Sequence, residues 1–142
     1  MPREVKTAII AVLVALTMLG AGYLWGARGR WAAEERLEIV ERQVVLGETR
    51  RLTLAGQIAL TQLNFGEAAG LFESARASAD QTARRLEADG MLDLAGESTR
   101  AAEALGEARG LAAKLDQAAA GKASDALAAL DRTAARLPAT AP

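Results

Sequence analysis

The first 30 residues carry the strongest pattern in the chain. Thr7 to Ala27, TAIIAVLVALTMLGAGYLWGA, is a run of 21 residues without a charge, bracketed by Lys6 and Arg28. At about 1.5 Å per residue, a helix of this length crosses the roughly 30 Å hydrocarbon layer of a bilayer. From Trp31 onward the spacing changes to that of amphipathic helices. Ala33, Leu37, Val40 and Val44 step 4-3-4, with Glu34, Glu35, Arg36, Glu38, Glu41 and Arg42 between them. This predicts one inward stripe on a helix that Gly47 kinks or ends. Leu52, Ala55, Ala59 and Leu63 carry the pattern on, and Leu63-Asn64-Phe65-Gly66 is the best turn signal. A second helix follows with Ala68, Leu71, Phe72, Ala75, Ala79, Ala83 and Leu86 inward, closed by Asp89-Gly90. A long third helix buries Leu94, Ala101, Leu105, Ala108, Leu111 and Leu115 and ends at Ala120-Gly121. The last runs over Ala126, Leu127, Leu130 and Ala134 to Leu137-Pro138.

The expected organisation is a basic tail (1–6), a transmembrane helix (7–27), a helical domain (28–137) and a short tail (138–142). The fold class is all-α, an antiparallel hairpin array or small bundle behind the anchor. Composition supports this: alanine, leucine, glutamate and arginine dominate the soluble part, and Pro2, Pro138 and Pro142 are the only prolines. A cleaved signal peptide is the competing reading of the anchor, favoured by Arg3, Lys6 and Gly20-Ala21-Gly22, but the apolar run exceeds the usual core of about 7–15 residues. Tyr23 and Trp25 sit near the end of the span, with Trp31 beyond it, as candidate contacts at the headgroup level. A strict count of flanking arginines would keep the domain in the cytoplasm; the short basic tail before a first span favours the opposite. The expectation adopted is a single-pass protein with an extracytoplasmic domain, periplasmic in a bacterium.

The anchor has a small-residue face. Ala8, Ala11, Ala15, Gly22 and Gly26 share one side, and Gly22 and Gly26 form a GxxxG pair through which membrane helices pack closely.

Charge and residue types narrow the chemistry. From Trp31 to the end there are 13 basic and 17 acidic residues and no clustered basic face, so nucleic acid is not an expected partner. Histidine and cysteine are absent, which removes the commonest general bases, thiol nucleophiles and soft metal ligands. Glu34, Glu38 and Glu41 share a face, as do Glu103 and Glu107, and read as solvated charge. No catalytic, cofactor or metal residue is expected.

The segment from Leu63 to Ala75, LNFGEAAGLFESA, resembles the centre of a tetratricopeptide repeat. Asn64 falls in the turn, Phe65 takes the aromatic place, Ala68, Phe72 and Ala75 match the small–large–small spacing, and Gly56 stands at the small position twelve residues before Ala68. Ala59, Leu52 and Asp80 depart from the pattern. A fainter echo at Gly121, Ala126, Leu130 and Pro138 lies 58 residues on rather than about 34. The resemblance implies paired helices that touch through small residues, with Phe72 plugging the groove between neighbouring repeats, and that bind other proteins. Two functions follow as expectations: a membrane-anchored adaptor for protein–protein interaction in the cell envelope, or an accessory subunit of a membrane complex held through its transmembrane helix. Self-association is open to either.

Overall fold

The computed structural model describes residues 39–137, together with the single residue Met18. The chain divides into two compact units, Met1–Glu38 and Ile39–Pro142, and the four helices described here belong to the second. Apart from Met18, the expected anchor lies outside the described residues, as do its packing positions Ala8, Ala11, Ala15, Gly22 and Gly26 and the aromatic candidates Tyr23, Trp25 and Trp31. Among the described residues no helix is long and apolar enough to cross a membrane.

Helix α1 is described over 39–61. It is followed by α2 (Phe65–Ala88), α3 (Leu92–Ala112) and α4 (Ala119–Arg136). Among the described residues there is no strand. Cross-helix contacts fix the arrangement. Thr49 and Ser78 share a 2.6 Å hydrogen bond, and Arg42 meets Asp89 at 2.8 Å, so α1 and α2 run antiparallel. Arg109 reaches Glu73 at 3.3 Å between α3 and α2. Lys122–Glu107 (2.7 Å) and Arg132–Glu97 (3.0 Å) join α4 to α3. Gln57 donates to Ser124 at 3.0 Å and Arg50 meets Asp131 at 2.9 Å, which returns α4 to α1. Each helix therefore contacts two antiparallel neighbours, and the four close into an up-down-up-down bundle.

The core is built largely of alanine. Ala68, Ala75, Ala79, Ala101, Ala108, Ala112, Ala119, Ala123 and Ala126 are fully buried, around Phe72, Leu105 and Leu130. Small side chains bury little area each but let helix backbones approach closely. A second cluster of Leu86, Leu94 and Ala95, with Met91 and Leu137 against it, closes the end of the bundle where Ile39 lies.

The inward face of α1 differs from the one its hydropathy suggests. Val40 and Val44 are exposed, not inward. The buried stripe is Leu46, Thr49, Thr53, Gly56 and Leu60, spaced 3-4-3-4. Two threonines and a glycine make it invisible to a search for apolar residues. Their hydroxyls are buried because the helix itself satisfies them: Thr49 donates to the Val45 carbonyl at 2.9 Å, and Thr53 to that of Thr49 at 2.8 Å. The helix also continues through Gly47, since burial on either side outweighs a glycine cost of about 1 kcal/mol.

The same backbone arrangement closes three helices. At the end of α1 the Leu63 N–H donates to Leu60 and the Asn64 N–H to Ala59. At the end of α2 Gly90 donates to Glu87 and Met91 to Leu86; at the end of α3 Leu115 donates to Ala112 and Asp116 to Leu111. This paired bond requires one left-handed residue, and Leu63 (φ 59°), Gly90 (φ 75°) and Leu115 (φ 60°) supply it. Asn64 and Gly66 do not take the left-handed backbone expected of them. Asn64 instead caps α2: its side chain accepts from the Glu67 N–H, and its Nδ2 donates to the Glu67 carboxylate at 2.6 Å.

The third connection is the largest departure. The third helix ends at Ala112 rather than Ala120-Gly121, Leu115 is 70% exposed in the turn, and Gly121 lies inside α4. Leucine at a left-handed position gives no turn signal. The readable mark was Asp116, whose carboxylate accepts from the Ala118 N–H at 2.9 Å in the turn that precedes α4.

The close approach of α1 to α2 depends on Gly56. A Cβ there would lie 2.5 Å from Cε1 of the fully buried Phe72 ring. Gly56→Ala should therefore destabilise the bundle by about 1–3 kcal/mol despite alanine's better helix propensity. Gly70→Ala, at an exposed helical glycine with nothing within 4 Å, should stabilise it by about 0.5–1 kcal/mol. Phe72→Ala should cost about 3–5 kcal/mol. Denaturant midpoints of the three variants check the signs and the order.

Candidate functional site

The residues singled out for the repeat resemblance fall on the α1–α2 contact. Gly56, Ala68, Phe72 and Ala75 are all buried, and Phe65, at the start of α2, packs half-buried against the same core. Gly56, Ala68, Phe72 and Ala75 form the interior of a helical hairpin and present no ring or methyl group to a ligand. Ala126 and Leu130, from the fainter echo, are likewise fully buried on α4. Leu71 is half-buried against the core as well, so it does not form part of an exposed apolar face.

An opening lies between α2 and α3. It is a cleft of about 600 Å³ lined by Arg76, Asp80, Thr99, Ala102, Glu103, Gly106 and Glu107. Arg76, Asp80 and Glu107 in its lining already have partners. Glu107 holds Lys122 at 2.7 Å, and that hydrogen bond keeps the Lys122 ammonium above the usual lysine range. Arg76 lies 3.9 Å from both Glu73 and Asp80. Glu103 and Glu107 share a helix face as the sequence implies, but Glu107 is tied across to α4. Among the described residues no group of three histidine, cysteine or acidic side chains could hold a metal ion.

One carboxylate is held deep in the fold. Glu97, 8% exposed, accepts from Arg132 Nε at 3.0 Å and Arg100 Nη1 at 2.7 Å. The Arg132 hydrogen bond, aided by the charges of Arg132, Arg100 and Arg136, holds its carboxyl below the usual range. A buried charge of this kind is tolerable only because both oxygens are bonded. Next to it, Ser98 Oγ is fully buried and makes no hydrogen bond. Glu97 clamps α4 onto α3 and is architectural.

The surface that stands out is apolar and belongs to α1. Val40, Val44, Leu54 and Ile58 are 46%, 63%, 46% and 58% exposed. Together with Gly47 and Arg51 they continue the 4-3-4 spacing begun at Val40, so the signal for Leu54 and Ile58 was legible had the stripe been followed past Gly47. The flanks of α1 contact its neighbours, with Glu41 bonded to Arg85 of α2 at 2.7 Å and Arg50 to Asp131 of α4. The stripe thus points away from the bundle. Its centre carries an ion pair, Arg51 gripping Glu48 through two hydrogen bonds of 2.7 and 2.6 Å. No protein-family model, curated protein or solved structure matches this chain.

The Glu97 clamp gives a pH dependence. Its folded carboxyl titrates below the ordinary 4.5, so its contribution is fully present above that value and is lost as pH falls through the folded pKa. Denaturant midpoints should fall as pH is lowered from 6 towards 3. Glu97→Gln should lower stability at pH 6 and flatten that acid limb; an unchanged limb would remove Glu97 as its source.

Proposed function

We propose that this chain is a membrane-tethered helical interaction module, whose folded domain presents α1 as its docking surface. The observation that carries the reading is the uncovered stripe of Val40, Val44, Leu54 and Ile58 on a helix whose other face is fully engaged in the core. Single exposed apolar residues need no explanation, but a row of them at regular helical spacing marks a surface that another chain covers. The tether rests on the uncharged run from Thr7 to Ala27, and the envelope location rests on that run and the basic tail before it. The lack of histidine and cysteine favours binding over catalysis. The resemblance to a tetratricopeptide hairpin, through Gly56, Phe65, Ala68, Phe72 and Ala75, adds a preference for protein partners.

A second reading, an accessory subunit held through its membrane helix, is favoured by the small-residue face of Ala8, Ala11, Ala15, Gly22 and Gly26. Two variants of the full chain separate the two. The tagged protein is drawn from membranes in mild detergent and its co-purifying proteins are identified. Val44→Glu with Ile58→Glu places charges on exposed positions, so the bundle should keep its circular dichroism while losing its partners by about tenfold or more. Gly22→Leu should leave them in place. Loss with Gly22→Leu alone would favour the accessory-subunit reading instead.

A further inference from the structure

The apolar core is cut in two. The larger cluster draws on all four helices; the smaller one, Leu86, Leu94 and Ala95 with Met91 against it, lies at the corner where α2 turns into α3. Among the described residues only Leu137 packs against both. A level of inward-facing hydroxyls separates them. Thr82 on α2 and Ser98 on α3 stand eight residues either side of Gly90, and both are buried. The Glu97–Arg132 contact brings the buried Thr133 of α4 to the same level. Thr49 of α1 bonds to Ser78, one turn of α2 below Thr82. Both α2 and α3 are weakened here. Thr82 returns its hydroxyl to the Ser78 carbonyl and Thr99 to that of Ala95, each at 3.0 Å, a bond that bends helices and slightly destabilises them. Gly96 lies exposed inside α3, where glycine weakens a helix. Ser98 Oγ is buried without a partner, a cost that contact with solvent removes.

We infer that this corner, residues 83–96, is a hinged flap that opens as a unit about Thr82 and Ser98 while the main core stays folded. Little holds it beyond the hydroxyl level. Its own cluster has three buried residues, one of them alanine. Its ties to α1 are the ion pairs Arg42–Asp89 (2.8 Å) and Arg85–Glu41 (2.7 Å), a kind of contact that contributes little when solvent reaches it. A cleft of about 280 Å³, its lining including Ala83, Glu87, Leu92 and Gly96, already parts the two helices there. Glu97 sits at the hinge, and its bond to Arg132 keeps α3 pinned to α4 below the flap. Opening melts the last turns of α2 and the first of α3, breaks both ion pairs to α1 and uncovers Leu86 and Leu94. Regions with few buried apolar contacts are the ones that open locally in a folded protein. The flap is separate from the stripe on α1 and does not depend on the docking role proposed for it.

Amide hydrogen exchange on the full chain in mild detergent, read by mass spectrometry at several urea concentrations, tests the flap. The opposite corner, residues 57–70, is the control, because Ala59, Leu60 and Ala68 there belong to the main cluster. Ordinary fraying of helix ends would treat the two corners alike. A flap should leave the hydrogen-bonded amides of 83–96 about tenfold or more less protected than those of 57–70 and of 101–112, with a smaller urea dependence, because its opening exposes less surface than global unfolding does. Two mild variants locate the hinge. Leu105→Val, in the main core, should lower protection of 101–112 and leave 83–96 unchanged. Ser98→Ala, which removes the unpartnered hydroxyl, should raise protection of 83–96 about threefold or more. Equal protection at the two corners, or a Leu105→Val effect of the same size in both segments, would overturn the flap. A Ser98→Ala protein whose corner is no better protected would overturn the hinge at Ser98.

Discussion

The bundle depends on how near α1 can come to α2, and that distance is set by one ring and one missing methyl group. Phe72 is the largest fully buried side chain among the described residues, and its edge occupies the space a Cβ on Gly56 would need. An alanine-rich core has little apolar area with which to hold helices at a distance. It must hold them close, and close packing tolerates small errors poorly. Around this contact the alanines of α2, α3 and α4 repeat the same economy, and Leu105 and Leu130 fill what remains.

The cost of a small core appears in what secures it elsewhere. Charged pairs run across the helix junctions: Arg42–Asp89, Arg50–Asp131, Arg109–Glu73 and Lys122–Glu107. Exposed pairs of this type contribute little individually, and their value is in selecting one antiparallel arrangement over others. Glu97 is the exception, a buried carboxylate between two arginines that ties α4 to α3. A domain held in this way would gain stability if the apolar stripe on α1 were covered, as the proposed interaction role requires.

Much of this was legible in the residues. Helix content, the Asp89-Gly90 turn, and the buried set of Ala68, Phe72, Ala75, Ala79, Ala83 and Leu86 all follow from spacing, because α2 alternates apolar and polar positions in the ordinary way. Gly56 and Phe72 were each singled out by the repeat resemblance, but their contact with one another is seen only in the fold. The reading of α1 was inverted for a physical reason. Its core face is partly threonine, which can be buried once its hydroxyl bonds to the preceding turn, while its valines are free to face outward. Hydropathy alone cannot separate a face buried in its own domain from a face kept for another chain. The α3–α4 connection was missed because leucine holds the left-handed position, a conformation roughly 1–2 kcal/mol unfavourable that the turn's two hydrogen bonds and packing offset. Of the candidate surface, the spacing from Val40 and Val44 runs on through Leu54 and Ile58 in the sequence itself; that this face points outward needed the fold.

If the Gly56–Phe72 contact sets the α1–α2 spacing, its two sides must be coupled energetically. A double-mutant cycle on the full chain measures this, combining Gly56→Ala with Phe72→Leu, a smaller side chain that opens the space a methyl group would enter. Gly56→Ala should destabilise the wild-type protein yet be neutral or stabilising once residue 72 is leucine, a coupling of about 1–3 kcal/mol. Additive effects, with Gly56→Ala equally costly in both backgrounds, would contradict the account.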